Sequence, residues 1–190
     1  MIRSLDDLVR LRDGGLRNLW MRGSVPSADE LTGWVFRGWN TSFAAARSPV
    51  GGRAFAKGFF REGDTVGGCN FMVRVRDGAW QIDTDHPFGF FAAYASAESR
   101  AWSGWRPALL LDYGRGAPGR EIRGSPRLRL RIVSWLARPL QDLIVRPPDA
   151  ADGLYVGWAF LSPAVKLPVT CFALERWRPL SAPAAERAVA

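Results

Sequence analysis

The chain has 190 residues, 47% of them hydrophobic, with nine Trp and eleven Phe. That suits one domain with one core and excludes wholesale disorder. The formal net charge is +8, and of 26 basic residues only Lys57 and Lys166 are lysine. The arginines are scattered without a block, so charge alone makes nucleic acid an unlikely partner and describes a solvated basic surface.

Charges in Met1-Ile2-Arg3-Ser4-Leu5-Asp6-Asp7 replace the apolar core of a secretory signal. No stretch reaches the roughly 18 to 20 apolar residues of a membrane span. Cys69 and Cys171 stand far apart without metal-type spacing, and His86 is the single histidine. The expectation is a cytoplasmic protein with reduced thiols, no metal and no bound cofactor.

Ser4 opens a short helix with Leu5, Leu8, Val9 and Leu11 on one face, which Gly14-Gly15 is expected to end. A second piece runs from Leu16 to Met21 and stops at Gly23. Ser27-Ala28-Asp29-Glu30 is a capping box for a third turn. Residues 1–31 thus read as a helical segment packed on a sheet as a lid or plug.

Strands are expected from Gly33 to Trp39 and from Ala54 to Arg61, the second with Phe55, Lys57 and Phe59 on one face. Cys69 to Asp83 is a hairpin, with Asp77-Gly78 as its two-residue turn. Asp83 to Pro87 reads as a loop holding His86, followed by a strand from Phe88 to Tyr94. Residues 95–105 read as a small, polar flap.

Pro107-Ala108-Leu109-Leu110-Leu111-Asp112-Tyr113 is a strand apolar on both faces. Its alternation puts Ala108, Leu110 and Asp112 on one side and Leu109, Leu111 and Tyr113 on the other. Arg127, Arg129 and Arg131 alternate with Leu128, Leu130 and Ile132, as on the wet face of a half-buried strand. Pro139-Leu140-Gln141-Asp142 reads as a turn into the next strand. Leu154 to Leu161 puts Tyr155, Gly157 and Ala159 opposite Leu154, Val156, Trp158 and Phe160. Val169 to Arg178 closes the series, and residues 179–190 read as a frayed tail.

About nine short antiparallel strands after small helices define a mainly β chain. The architecture expected is a single antiparallel barrel or strongly curled sheet over residues 33–178.

Four segments carry a resemblance: Phe36-Arg37-Gly38, Phe55-Ala56-Lys57-Gly58-Phe59-Phe60, Pro139-Leu140-Gln141-Asp142, and Gly157. Together they resemble the bacterial GXWXG-domain family with its companion C-terminal region, with Phe36 at the place of that family's tryptophan. The resemblance spans about residues 33 to 178. It implies a fold rather than a reaction, since the family is functionally uncharacterised. The chain is also similar to calycins, the lipocalin-like barrels. Those open with a helical turn and a Gly/Trp-bearing strand and place an arginine of the last strand near that Trp. Trp34 and Arg176 fill these places.

The sequence carries no nucleophile elbow, phosphate loop or zinc motif. It leaves ionisable groups on apolar strands, Lys57, Asp112, Tyr113 and Asp142, each costly in an apolar setting unless paired or bound to a polar ligand group. The reading is a binding barrel for a hydrophobic small molecule, lipid-like or polyketide-like. Lys57, Asp112, Asp142, Phe55, Phe59, Trp34 and Tyr155 are expected around the ligand, with the three charged groups at one end of the cavity. The alternative is a cofactor-independent cyclase, isomerase or dehydratase with Asp112, Tyr113 and Lys57 as its catalytic groups. A third class is a basic partner-binding domain using the arginine row.

Overall fold

The computed structural model describes residues 1–42, 52–96, 107–116, 132, 136–161 and 167–181. Three helices, α1 (Leu5–Arg10), α2 (Arg12–Arg22) and α3 (Ala28–Leu31), precede the strands. These are β1 (Trp34–Asn40), β2 (Ala54–Glu62), β3 (Thr65–Arg76), β4 (Ala79–Ser96), β5 (Ala108–Asp112), β6 (Leu140–Val145), β7 (Leu154–Leu161) and β8 (Leu167–Pro179). Each strand pairs antiparallel with the next, and β8 pairs with β1, so the sheet is a closed eight-stranded barrel. Closure gives every strand two neighbours and removes the long open edge of a flat sheet.

Strand alternation sorts the apolar residues into layers. Leu109, Leu111, Ile144, Tyr155, Ala159, Phe172 and Leu174 join Phe36, Phe59 and Phe91 in the barrel interior. Their sequence neighbours Ala108, Leu110, Leu143, Val145, Val156, Trp158, Cys171 and Ala173 face outward. There they meet Leu5, Leu8, Leu16 and Trp20 of α1 and α2. This explains why β5 is apolar on both faces: one lines the interior and the other lies under helices. Trp20 is fully buried, donates its indole N–H to the Leu143 carbonyl at 3.2 Å and meets Trp158 edge-on at 5.8 Å. A third cluster, Val35, Ala56, Phe60, Cys69, Phe71 and Phe90, covers the outside of β1 to β4 beneath Trp177 and Leu180.

Glycines fit rings into the narrow interior. Gly38 faces Phe55, Gly68 faces Phe91 and Gly157 faces Phe172 as cross-strand partners. A Cβ on Gly38, Gly68 or Gly157 would lie 2.4, 2.4 or 2.1 Å from the partner ring. Each ring therefore lies flat on the backbone where its partner has no side chain.

Several expected boundaries move. Gly14-Gly15 does not end a helix but lies inside α2. The break falls at Arg12, whose φ of 54° is left-handed. α1 and α2 pack outside the barrel, and α3, with Leu31 in the interior cluster, plugs one end. The Asp77-Gly78 turn is as expected, with φ of 50° and 77° and Arg76 paired with Ala79.

The expected loop at 83–87 is instead part of β4, which runs unbroken for 18 residues. The register slips between Asn70 and Met72, whose partners are Phe88 and Asp83. The turn-like residues Thr84 to Pro87 are thereby absorbed in a bulge. Asp142 belongs to no turn; it is the third residue of β6.

The strand expected over residues 127–135, with Arg127, Arg129 and Arg131, lies outside the described residues except at Ile132, whose backbone is helical. Most of the expected flap and the tail beyond residue 181 also lie outside them. Among the described residues no helix is long and apolar enough to cross a membrane.

The Gly157–Phe172 fit yields a first expectation. Gly157→Val forces the Phe172 ring off the β7 backbone, and overpacking of this kind costs about 1–3 kcal/mol. Urea unfolding should show that loss, whereas Gly63→Ala, at a turn with nothing within 4 Å of its Cβ position but φ of 55°, should cost less.

Candidate functional site

The end of the barrel where β1 stops and β2 begins is here called the upper end; α3 closes the lower one. Inward-facing positions of β2, β3 and β6, with Tyr113 just past β5, place four polar side chains together in the upper half. Lys57 and Asn70 are direct cross-strand partners. The Lys57 ammonium donates to Asn70 Oδ1 at 2.9 Å and to the Tyr113 hydroxyl, and pairs with Asp142 Oδ2 at 2.9 Å. Its three hydrogens thus have three acceptors. The Tyr113 hydroxyl donates to Asp142 Oδ2 at 3.0 Å, and Asn70 Nδ2 donates to the Gly89 carbonyl at 3.2 Å.

Gly89 is where the chain needs a glycine. Its φ is +55°, and a Cβ there would lie 2.7 Å from Asn70 Nδ2. The residue turns its carbonyl to the Asn70 amide and leaves room for it.

The cluster is wrapped in rings. Lys57 Nζ lies 5.3 Å from the centroids of Phe55 and Phe91, 5.1 Å from Tyr113 and 5.8 Å from Phe172. Three of these four rings are the ones seated on Gly38, Gly68 and Gly157. Ring faces carry negative quadrupole density and add to the attraction for a buried cation. Lys57 is 3% exposed and Asp142 5%, so the pair is out of water. Burial, and then the Asp142 charge, push the Tyr113 phenol well above the ordinary tyrosine range, so it stays a hydrogen-bond donor. Asn70, Phe55, Leu140 and Val169, toward the upper end, are half-buried.

Of the residues expected around a ligand, the structure brings together Lys57, Asp142 and Phe55, and beside them Tyr113, expected as a catalytic group of the alternative reading. Phe59 is next in the ring series, 5.4 Å from Phe91. Asp112 does not join them. It faces outward, accepting from the Tyr94 hydroxyl at 2.9 Å and the Gly114 amide at 2.9 Å. The alternation that turned Tyr113 inward requires this, since adjacent residues of a strand point oppositely. The three charges are therefore two within the barrel and one outside. His86 sits in the β4 bulge against Asp83 at 2.9 Å.

Tyr155 and Trp34 belong to the lower end. Tyr155 donates to Glu30 Oε1 at 3.1 Å, and Arg146 reaches Glu30 Oε2 at 2.6 Å. The Arg176 guanidinium lies 5.1 Å from the Trp34 ring and donates to the Glu30 carbonyl at 3.3 Å. Glu30 therefore does not turn back to its own helix start, as a capping box would have it, but ties α3 to β7 and the Arg146 segment. Burial and the Glu30 charge raise the Tyr155 phenol as well.

Sequence reasoning missed Asn70. Its signal was register: counting outward from the Asp77-Gly78 turn does not reveal it, but the Lys57–Asn70 pairing across β2 and β3 does.

A separate cleft of about 320 Å³ lies outside the barrel, between α2 and the β7–β8 surface, lined by Asp13, Arg17, Trp158, Thr170 and Cys171 among others. Burial, with Asp13 adding to it against Arg17, pushes the Cys171 thiol up to about 12. It remains a thiol and is no nucleophile near neutral pH.

The fold and the cluster define a closed up-and-down barrel with a buried lysine–carboxylate pair in an aromatic interior. No family model, curated protein or solved structure matches the chain.

Two measurements check this description. Lys57→Met strands the Asp142 carboxylate and should cost roughly 3–5 kcal/mol in urea unfolding, whereas the double variant Lys57→Met/Asp142→Leu should recover much of that loss. The second concerns pH. The raised Tyr113 phenol contributes stability that is fully present below the unfolded tyrosine value near 10 and is lost as pH rises through the folded value. Stability should therefore decline above about pH 10, and less steeply in Tyr113→Phe.

Proposed function

We propose that the barrel binds a mainly apolar small molecule through its upper end, with the polar end of the ligand meeting Lys57, Tyr113 and Asn70. The observation carrying this reading is the placement of the cluster. A costly ion pair sits among rings, beside the half-buried Phe55, Asn70, Leu140 and Val169 rather than beneath the α3 plug. An interior ion pair contributes little net stability compared with packed hydrophobic residues, so stability alone is a weak reason to keep it.

The charge of the cluster narrows the ligand. Lys57 and Asp142 sum to zero, so a ligand carboxylate would leave one uncompensated negative charge in the interior. A carbonyl or hydroxyl that takes over one of the existing hydrogen bonds of Lys57 or Tyr113, displacing the acceptor now there, adds no charge. The ligand class is thus a ketone, ester or alcohol with an apolar body, which includes lipid-like and polyketide-like molecules. The lipocalin-like relationship is consistent with such a ligand and is part of the same proposal, supported by the Trp34–Arg176 contact.

A second reading rests on the 3.0 Å contact between the Tyr113 hydroxyl and Asp142. A phenol held protonated beside a carboxylate is an acid–base pair able to enolise a bound carbonyl compound, the step that an isomerase or cyclase needs. Here Asp142 replaces Asp112 as the carboxylate. Asp142→Asn distinguishes the readings: retained affinity with lost turnover means chemistry.

The binding reading is tested with the fluorescent ketone prodan. Saturable binding with a blue-shifted emission is expected. Displacement by 2-decanone should be about tenfold more effective than by decanoate, a difference of about 1.4 kcal/mol. Absence of saturable binding, or preference for decanoate, would count against the proposed ligand class.

A further inference from the structure

We infer that Lys57 forms a covalent imine with an apolar aldehyde, so that the barrel captures aldehydes reversibly as well as holding neutral carbonyl compounds. The inference rests on the ligand reading above and adds bond formation to it.

Residue choice is the first ground. Of 26 basic residues 24 are arginine, yet the one buried at the centre of the ring cluster is lysine. A guanidinium does not lose its proton in proteins, whereas an amine can and then carries a nucleophilic lone pair. Geometry is the second. Asp142 lies 2.9 Å from Nζ and is placed to take a proton from it, and the Tyr113 hydroxyl bridges Nζ and Asp142. Charge is the third. A protonated imine is a cation like the ammonium it replaces, so the neutral balance with Asp142 persists. Its charge, spread over C=N and any conjugated chain, lies among the faces of Phe55, Phe91, Tyr113 and Phe172. The ammonium hydrogens lost to Tyr113 and Asn70 are replaceable in part: Asn70 Nδ2 is 3.3 Å from the Tyr113 oxygen, and Asn70 is not fully buried.

The steps balance. Nζ gives one proton to the Asp142 carboxylate. Its freed lone pair attacks the aldehyde carbon, a C–N bond forms, and the carbonyl π pair moves to oxygen. A proton passes from nitrogen to that oxygen, giving a neutral carbinolamine. The Asp142 carboxylic acid, directly or through the Tyr113 hydroxyl, protonates the carbinolamine hydroxyl. Water leaves, the nitrogen lone pair forms C=N, and Asp142 is again a carboxylate facing the iminium. Ammonium plus aldehyde has become iminium plus water, with no oxidant or reductant consumed.

The sequence supplies its own control, because the amines that compete are those of Lys166 and Met1. The protein is incubated with cinnamaldehyde, trapped with cyanoborohydride, digested with trypsin and mapped by mass spectrometry; prodan binding is measured in parallel. A modified Lys57 blocks cleavage there and leaves the peptide Ala54–Arg61 intact. Labelling of Lys57 roughly tenfold or more above Lys166 is expected, as positioning raises effective concentration. It should fall when 2-decanone is present. Prodan binding with labelling confined to Lys166 and Met1 would overturn the imine and leave the binding reading standing. Labelled Lys57 without prodan binding would keep the imine and overturn the neutral-ligand reading. Neither signal would overturn both.

Discussion

The structure depends on keeping one ammonium out of water. Removing a charge from water costs several kcal/mol, and a single partner rarely returns it. Lys57 meets this cost with three oxygen acceptors and four ring faces at once. Those groups come from β2, β3, β4, β6, β8 and the residue after β5. The complete cluster therefore exists only in the closed barrel. Until the strands are in register, the acceptors are not beside the ammonium.

The glycines are the other half of that arrangement. An eight-stranded barrel has an interior just wide enough for side chains to fill it. Three phenylalanines crowd around Lys57 only because each lies on a backbone with no side chain beneath it. These glycines weaken their strands in isolation. The strands keep them because the rings occupy the space a Cβ would take. The two ends of the barrel then divide the work. The lower end is closed by Leu31 and by Glu30, which reaches Arg146 and Tyr155; the upper end keeps its polar groups next to half-buried residues.

Much of this was legible before any coordinates. Alternation fixed the faces of β5 and β7, so Tyr113 was placed opposite Asp112 from the start, and grouping Asp112 with the interior charges contradicted that very alternation. Glycine and proline misled where tertiary context overrode local preference. Gly14-Gly15 stays helical because Leu16 and Trp20 beyond it are anchored against the barrel. Pro87 is accepted in β4 because the register slip beside it frees the chain from regular pairing. Asn70 and Glu30 were invisible for a simpler reason. A polar residue's partners lie across strands or between elements, and one-dimensional spacing does not report them. In both cases a familiar local motif, a hairpin and a capping box, had already accounted for the residue.

The joint between β1 and β8 has a consequence for synthesis of the chain. Arg37 and Glu175, which meet at 2.6 Å across that joint, are 138 residues apart in sequence. Every other pairing joins consecutive strands, whereas the second edge of β1 must wait for β8. During translation its outer edge is a row of unpaired amides, open to any passing strand. The last-made strand, β8, is thus the one that closes the barrel, a pairing of high sequence separation of the kind that slows folding. Arg37, charged and pointing outward from the middle of that edge, is well placed to discourage the wrong partner until Glu175 arrives.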